Sequence, residues 1–202
     1  MNNLTEIQIK NIKHILEEKI KQIQNVTQIN NKLWPQLELS TEMIYRLDYM
    51  YENFHALHPV DSSKQKKTSQ KIPTGKYSFV ILCEEPFSVY CFSHEEVYAC
   101  KKLRMQAHMH VNYGHSSLTF IKNKQFSRPL LAEKMAKPVL LAGNLYFGKH
   151  EHLALGGGEM ISWTVESGHY RPSEKDAYNN RIGYMKKILP IGKFNNIFPD
   201  KN

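Results

Sequence analysis

The sequence predicts an α+β fold, in which N-terminal helices precede an antiparallel or mixed β-sheet and a C-terminal helix follows it. Three observations indicate this class. Apolar residues recur at helical spacings in the first part of the chain, form short runs or alternate with polar residues in the middle, and return to the helical period near the end. Helices first, strands next and a helix last is an order typical of α+β proteins.

Two helices are expected before residue 58. The first runs over residues 5–33, where Thr5 and Gln8 form a capping box and Pro35 ends the helix. Its apolar face comprises Ile12, Ile15, Leu16, Ile23, Val26 and Leu33. The second runs over residues 41–57, and its apolar face comprises Met43, Ile44, Leu47, Met50, Phe54 and Leu57. We expect both helices to pack on each other or on the sheet; docking of the basic helix on a calmodulin-like partner is the alternative.

Five short strands are expected after residue 76. Apolar runs or alternating residues mark them at 77–83, 87–92, 107–113, 138–147 and 160–165. A run of three glycines, Gly156–Gly158, predicts a flexible hairpin connection before the last strand, because it lacks the Lys-Ser/Thr of a phosphate-binding P-loop. The final helix is expected over residues 174–188. Its inward residues are Ala177, Tyr178, Ile182, Met185 and Ile188.

These elements divide the chain into an N-terminal helical region (1–58), a basic linker (59–76), an α+β core domain (77–190) and a C-terminal tail (191–202). The linker is rich in lysine and has little to bury, so we expect solvated chain there. Contact of its lysines with phosphate is the alternative.

The composition limits the classes of function. A chain of 202 residues with 41% hydrophobic residues is long enough to bury a core. The formal charge of +8 favours acidic partners such as nucleotides, anionic lipids or acidic protein surfaces, although exposed lysine is an ordinary source of such an excess. Because no RNA-binding motif of recognisable spacing is present, nucleic acid is not the expected partner.

The sequence also bears on cellular location. No run approaches the roughly 20 apolar residues that a membrane-spanning helix needs, so no membrane span is expected. The N-terminus lacks the charged start and apolar core of a secretory signal. Three cysteines without CxxC spacing, Cys83, Cys91 and Cys100, fit a reducing compartment better than a disulfide framework. We expect a protein secreted into a host cytosol without a cleaved signal, or a cytoplasmic one.

The segment 167–174 (Ser-Gly-His-Tyr-Arg-Pro-Ser-Glu) carries the strongest functional signal. It brings His169 and Arg171 to the expected start of the C-terminal helix, where Ser173 can cap the first turn with Asp176 as its partner. A helix N-terminus offers free N–H groups and a partial positive charge to an anion. With the histidine and the arginine, this start predicts a cradle for phosphate.

A second segment, His115–Ser117, follows the alternating strand, and we predict that the two segments form one pocket for a phosphate or a nucleotide. The candidate catalytic residues are His115, Ser116, Ser117, His169 and Glu174, and the candidate phosphate-binding residues are Arg171 and Ser173. Arginine clamps oxygens with a planar fork, histidine acts as a base near neutral pH, and a serine hydroxyl orients or attacks an oxygen. The alternative is that both histidines are satisfied, partly buried side chains and that the arginine is an ion-pair partner.

Read in order, the segment His115–Ser117, the Ala-Gly strand at 138–145 and the Ser-Gly-His-Tyr-Arg-Pro segment at 167–172 resemble a recurring domain. It is similar to the C-terminal domain of plant IQ-motif calmodulin-binding proteins, and related domains occur in bacterial toxin- and effector-like proteins. The resemblance covers roughly residues 77–190. Ile7-Gln8 lacks the Arg-Gly of an IQ motif, so calmodulin binding by that route is not implied. Residues 122–137 look like an insertion relative to the family.

More loosely, a serine followed at a distance by a histidine and a glutamate resembles the actin-dependent AMP-transferase effectors, which use a His-x-x-x-Glu segment. Here the glutamate comes five residues after His169, at Glu174. This resemblance implies transfer of AMP from ATP, with Mg²⁺ as the accompanying ion, to a host protein such as actin. A non-enzymatic interaction module acting through the basic N-terminal helix is the alternative function.

A metal-dependent enzyme is the second alternative. His108 and His110 form a His-x-His pair on the predicted strand 107–113, which places both imidazoles on one face as a metal site requires. His150 and His152 flank Glu151 further along. A well-spaced carboxylate and a further histidine in the following strand are missing from this pattern.

Overall fold

Six antiparallel β-strands form a closed barrel in the computed structural model, which describes residues 39–60, 70–100, 113–119, 137–148, 158–168, 170, 172–181 and 183–195. The strands are β1 (Tyr45–Tyr51), β2 (Phe54–Pro59), β3 (Gly75–Leu82), β4 (Val89–Ser93), β5 (Val139–Phe147) and β6 (Gly158–Thr164). Around the barrel they follow the order β1-β2-β6-β5-β3-β4, and β4 pairs with β1. Closure pairs the two strands that would be exposed edges of an open sheet.

The helices in the described ranges are short. They are α1 (His94–Ala99), α2 (Glu174–Asn179) and α3 (Met185–Ile188), and single 3-10 turns form at Thr41–Met43, His115–Leu118 and Ile191–Lys193. Within those ranges, no helix has the length and apolar character needed to cross a membrane.

The barrel interior holds the main hydrophobic core. Alternate strand residues point inward, and Phe79, Leu145 and Trp163 are fully buried there. The helices α2 and α3 pack onto the same core. Two bonds fix α3 and the residues after it to the barrel: the Trp163 indole N–H donates to the Pro190 carbonyl at 2.8 Å, and His55 Nε2 lies 2.9 Å from the Ile188 carbonyl.

The closed barrel contradicts the predicted α+β fold with N-terminal helices, because the described chain is mostly β. The helix predicted over 41–57 is wrong: this segment forms the hairpin of β1 and β2, which turns at Glu52 with a positive φ of 45°. Its apolar residues fit a helical spacing, but Tyr45, Leu47, Tyr49 and Tyr51 also alternate with polar or flexible residues. Tyrosine favours strands, and pairing with β4 buries Tyr45 and Leu47. The helix predicted over 5–33 lies outside the described residues.

Four predicted strands are confirmed, since 77–83, 87–92, 138–147 and 160–165 correspond to β3, β4, β5 and β6. The strand predicted over 107–113 lies outside the described residues apart from Tyr113, and so does most of the predicted glycine hairpin. Residues 45–59, which the sequence assigned to the helical region and the linker, belong to the same barrel as these strands.

The C-terminal helix predicted over 174–188 is present in two pieces, α2 and α3, and Gly183 lies between them with a φ of 52°. Its start is confirmed: Ser173 Oγ accepts a bond from the Asp176 N–H at 3.2 Å, and the Ser173 N–H donates to the Asp176 carboxylate at 2.6 Å. Tyr178, expected to point inward, is exposed, whereas Ala177 and Met185 are buried as predicted.

A second hydrophobic cluster covers the outer face of β3, β4 and β5. Val80, Phe92 and Ala142 belong to it, together with Leu118 and Tyr170, which come from segments outside the barrel. The residues that alternate with the interior ones are therefore also buried on this side. This covered outer face positions the candidate site.

Candidate functional site

A row of hydrogen-bonded side chains lies on the covered outer face. Ser78 of β3 and Asn144 of β5 are directly opposite each other in strand register, and both are buried. Ser78 Oγ donates to Asn144 Oδ1 at 3.3 Å and lies 2.9 Å from His94 Nε2. Asn144 Nδ2 donates to Glu166 Oε2 at 3.0 Å. We call these four residues the outer-face network; their mutual bonds satisfy polar groups that would otherwise be costly to bury.

His94 is one end of the outer-face network and the first residue of α1. Its ring stacks on Phe92, with centroids 5.5 Å apart and an interplanar angle of 17°. Burial, followed by the positive charge of Lys76, lowers the pKa of His94 to about 4, so the imidazole is neutral at neutral pH. Because the Ser78 hydroxyl donates to Asn144, His94 Nε2–H donates to Ser78. The lone pair at Nδ1 then has no hydrogen bond from any described residue and can accept a proton.

Glu166 is the other end of the outer-face network, two residues after β6. Its carboxylate is half-buried and accepts the Asn144 amide, while its backbone N–H donates to Thr164 Oγ1 at 3.4 Å. These bonds fix the Asn144 side chain, with its oxygen toward Ser78 and its nitrogen toward Glu166. The network thus has a neutral imidazole at one end and a carboxylate at the other.

The His115–Leu118 turn covers the same outer face. His115 Nε2 donates to the Gly143 carbonyl at 2.8 Å, next to Asn144 in β5. Ser116 and Ser117 are fully buried, and Ser117 Oγ accepts the Gly114 N–H at 3.1 Å. In this arrangement neither serine hydroxyl meets a molecule arriving from solvent, so the turn would have to open before either could act as a nucleophile.

Tyr170 brings the two predicted motif segments together. Its hydroxyl lies 3.5 Å from Thr119 Oγ1 and donates to the Lys137 carbonyl at 3.1 Å, while Thr119 Oγ1 donates to the Ser116 carbonyl at 2.9 Å. Burial raises the pKa of Tyr170 to about 12, so the phenol stays protonated and remains a donor. Tyr170 therefore lies against Thr119, the residue that follows the His115–Leu118 turn.

The remaining predicted site residues divide into two groups. Ser173 is exposed and its hydroxyl donates to Asp176 Oδ2 at 2.8 Å, and Glu174 is the half-buried first residue of α2. The residues outside the described part of the chain are His169, Arg171, His108, His110, His150 and His152. Among the residues that the structure does describe, no group of three or more His, Cys, Asp or Glu side chains could hold a metal ion.

Sequence reasoning missed the outer-face network entirely. Asn144 offered a signal, because it is the single polar side chain within the run Val139–Phe147 apart from a tyrosine, and an amide in a buried strand must find partners. His94 offered another, since it follows the strand-terminal Ser93 that caps α1. The spacing of Ser78, His94, Asn144 and Glu166 along the chain has no regular pattern, so only the strand register could unite them.

No protein family, curated protein or solved structure matches this chain. The resemblance to the plant calmodulin-binding domain and to bacterial effectors therefore stays a prediction. Conclusions about function depend on the geometry of the described residues.

The neutral state of His94 predicts that stability falls in mild acid. The unfolded protein binds a proton near pH 6.5 and the folded protein only near pH 4, so this stabilisation is complete above pH 6.5 and is lost as the pH falls to 4. A pKa shift of this size corresponds to about 3 kcal/mol in the free energy of unfolding. Solvent screening of the partly exposed ring reduces this contribution to about 1–2 kcal/mol.

Urea unfolding between pH 7.5 and pH 4.5 measures the effect. We expect His94→Gln, which keeps an N–H donor for Ser78, to show a shallower loss of stability than the parent protein. His55 contributes the same slope to both proteins, because burial also lowers its pKa. An NMR titration in which the His94 ring protonates near pH 6.5 would contradict the prediction.

Proposed function

We propose that this protein is an effector-like enzyme that binds a nucleotide or another phosphorylated ligand beside the His115–Leu118 turn and transfers AMP to a host protein. The observation that carries the proposal is the bonding of Tyr170 to Thr119 and Lys137, because Thr119 directly follows that turn. The sequence predicts His169 as a catalytic residue and Arg171 as a phosphate-binding residue, and the two flank Tyr170 in the chain. The outer-face network lies beside the same turn. His115 of the turn donates to the Gly143 carbonyl, and Gly143 precedes the network residue Asn144 in β5.

The network supplies the acid–base groups for this reaction. In AMP transfer an acceptor hydroxyl attacks the α-phosphorus, pyrophosphate leaves, and the proton of the hydroxyl passes to a base. Glu166 is our candidate for that base, because its carboxylate is only half-buried and is oriented by Asn144.

Incubation of the purified protein with ATP labelled at the α-phosphate, with and without actin, tests the proposal. We expect label on the acceptor, and we expect Glu166→Gln to reduce transfer by about a hundredfold or more, as loss of a general base does. Glu159→Gln is the matched control, because Glu159 is an exposed residue of β6 outside the network. Absence of both label transfer and nucleotide binding would remove the proposal.

His169→Ala separates an enzyme from a non-enzymatic interaction module. An enzyme that uses His169 loses transfer while its fold and its binding to a partner persist. A module acting through the predicted basic helix at 5–33 is unaffected by this change. Unfolding in urea, compared between the variant and the parent protein, controls for loss of the fold.

A further inference from the structure

We propose that Lys76 binds the α-phosphate of the nucleotide, beside the outer-face network. The inference rests on the proposed function, because it names the side chain that holds the reacting phosphate. Lys76 belongs to β3 and is half-buried. It precedes Ser78 by two residues, so both side chains lie on the same face of the strand. The lysine and the network are therefore parts of one surface.

The strand register places Lys76 in a second row next to the network. Ser78 is opposite Asn144, and the following pair along the same two strands joins Lys76 to Tyr146. The Lys76 Nζ lies over the Tyr146 ring, 5.6 Å from its centroid. The face of an aromatic ring attracts a cation in this arrangement. Tyr146 therefore holds the ammonium above β5, the strand that also carries Asn144.

The charge of Lys76 is not neutralised by an acidic side chain within the described part of the chain. No carboxylate there lies within ion-pair distance of its ammonium. Burial first, and then the charge of Lys76, lower the pKa of the neighbouring His94 to about 4, so the imidazole beside the ammonium is neutral at neutral pH. A half-buried cation in such surroundings attracts an anion from solution. Lysine is a common ligand of phosphate groups in proteins.

The spacing of the charged groups favours the α-phosphate, at which the transfer occurs. Glu166, the proposed base, bonds Asn144. Lys76 lies over Tyr146, which is two residues further along β5 and about 7 Å away. An attacking oxygen lies about 3–3.5 Å from its target atom before reaction, and its base lies about 2.6–3.2 Å from that oxygen. A phosphate on Lys76 therefore leaves room for the acceptor hydroxyl between the phosphorus and Glu166.

Binding of AMP and of adenosine to the full chain, measured by isothermal titration calorimetry, tests this assignment, because the two molecules differ only in that phosphate. We expect the parent protein to bind AMP at least about tenfold more tightly than adenosine, a difference of about 1.4 kcal/mol. Lys76→Met should remove this preference, and Lys76→Arg should keep most of it, since arginine retains the positive charge. Lys186→Met is the matched control, because it removes the same charge from an exposed position of α3.

A measurement on the parent protein keeps the test independent of variants that unfold. At pH 7, AMP should shift the NMR signals of the His94 ring and of the Lys76 ε-methylene group more than adenosine does. Equal binding of AMP and adenosine, no binding of either, an unchanged preference in Lys76→Met, or equal shifts of these signals would overturn the assignment.

Transfer of label from ATP separates this assignment from the proposed function. If Lys76→Met transfers AMP with an unchanged kcat/KM, Lys76 does not hold the α-phosphate although the proposed function stands. If AMP binding depends on Lys76 but the parent protein transfers no AMP, the proposed function fails while the phosphate site stands.

Discussion

Replacing Gly143 by alanine destabilises the barrel by about 3 kcal/mol or more, at or above the upper end of ordinary overpacking costs. A Cβ at this position would lie 1.8 Å from the Thr164 carbonyl oxygen and 2.9 Å from the Val165 Cα. These are backbone atoms at the end of β6, so no side-chain rotation relieves the contact. The strands β5 and β6 must separate locally, and they carry Asn144 and position Glu166.

The same substitution should disturb the candidate site. The Gly143 carbonyl accepts the bond from His115 Nε2, so a shift of β5 also loosens the turn that covers the outer-face network. We therefore expect the Gly143→Ala variant, if it folds, to bind nucleotide more weakly than the parent protein. Loss of binding at high stability would instead indicate that Gly143 acts on the ligand directly.

Urea unfolding followed by circular dichroism measures the loss of stability, with the slope of the transition checked for a common two-state behaviour. Gly192→Ala is the matched control, because a Cβ at Gly192 meets no atom within 4 Å. We expect that control to stay within about 0.5 kcal/mol of the parent protein. A cost below about 1 kcal/mol for Gly143→Ala would show that β5 and β6 can move apart easily.

The strands after residue 76 were predictable because each is a compact apolar run with clear ends. Pro86 separates β3 from β4, and the apolar run Val139–Phe147 contains a single amide side chain, that of Asn144. The antiparallel pairing of β3 with β4 also followed from their short connection. The apolar runs do not predict that the barrel is closed. Closure requires the pairing of β1 with β4, which are not consecutive in the sequence.

The hairpin of β1 and β2 shows why the fold class was missed. Between residues 43 and 57 the apolar side chains satisfy a three-and-four spacing as well as an alternation, and local sequence alone does not choose between them. Tertiary contacts determine that this segment is a strand: β1 pairs with β4, and Tyr45 OH donates to Glu96 of α1 at 2.9 Å. A helix in this segment would leave β4 unpaired on that side.

The candidate site was predictable only in part. The segments around His115 and Tyr170 stood out as motifs, and Tyr170 does bring them together. The network residues did not stand out, because Ser78 and Asn144 become neighbours only through the register of β3 with β5. A buried polar network on a covered sheet face is therefore identified from its hydrogen bonds. Those hydrogen bonds are known only from the tertiary structure.

Replacing Arg181 by methionine destabilises the protein by about 3–5 kcal/mol, because it leaves buried carbonyls without their donors. Arg181 is only 6% exposed. Its Nε donates to the Ala177 carbonyl at 2.6 Å, and its Nη1 donates to the Leu189 carbonyl at 2.5 Å. These carbonyls lie in the last turn of α2 and just after α3, where a cation is favoured by the helix dipole. The guanidinium also lies over the Trp163 ring, 5.5 Å from its centroid.

Lysine at position 181 should restore only part of this loss, since an ammonium keeps the charge but lacks the planar fork that reaches two carbonyls. The control is Arg46→Met: Arg46 is half-exposed and pairs with Asp48 on the barrel surface, so we expect a change below about 1 kcal/mol. Thermal unfolding of the variants, with near-ultraviolet circular dichroism reporting the environment of Trp163, measures both effects. If Arg181→Met matched the stability of Arg46→Met, the bonds of Arg181 to the two carbonyls would contribute nothing measurable to stability.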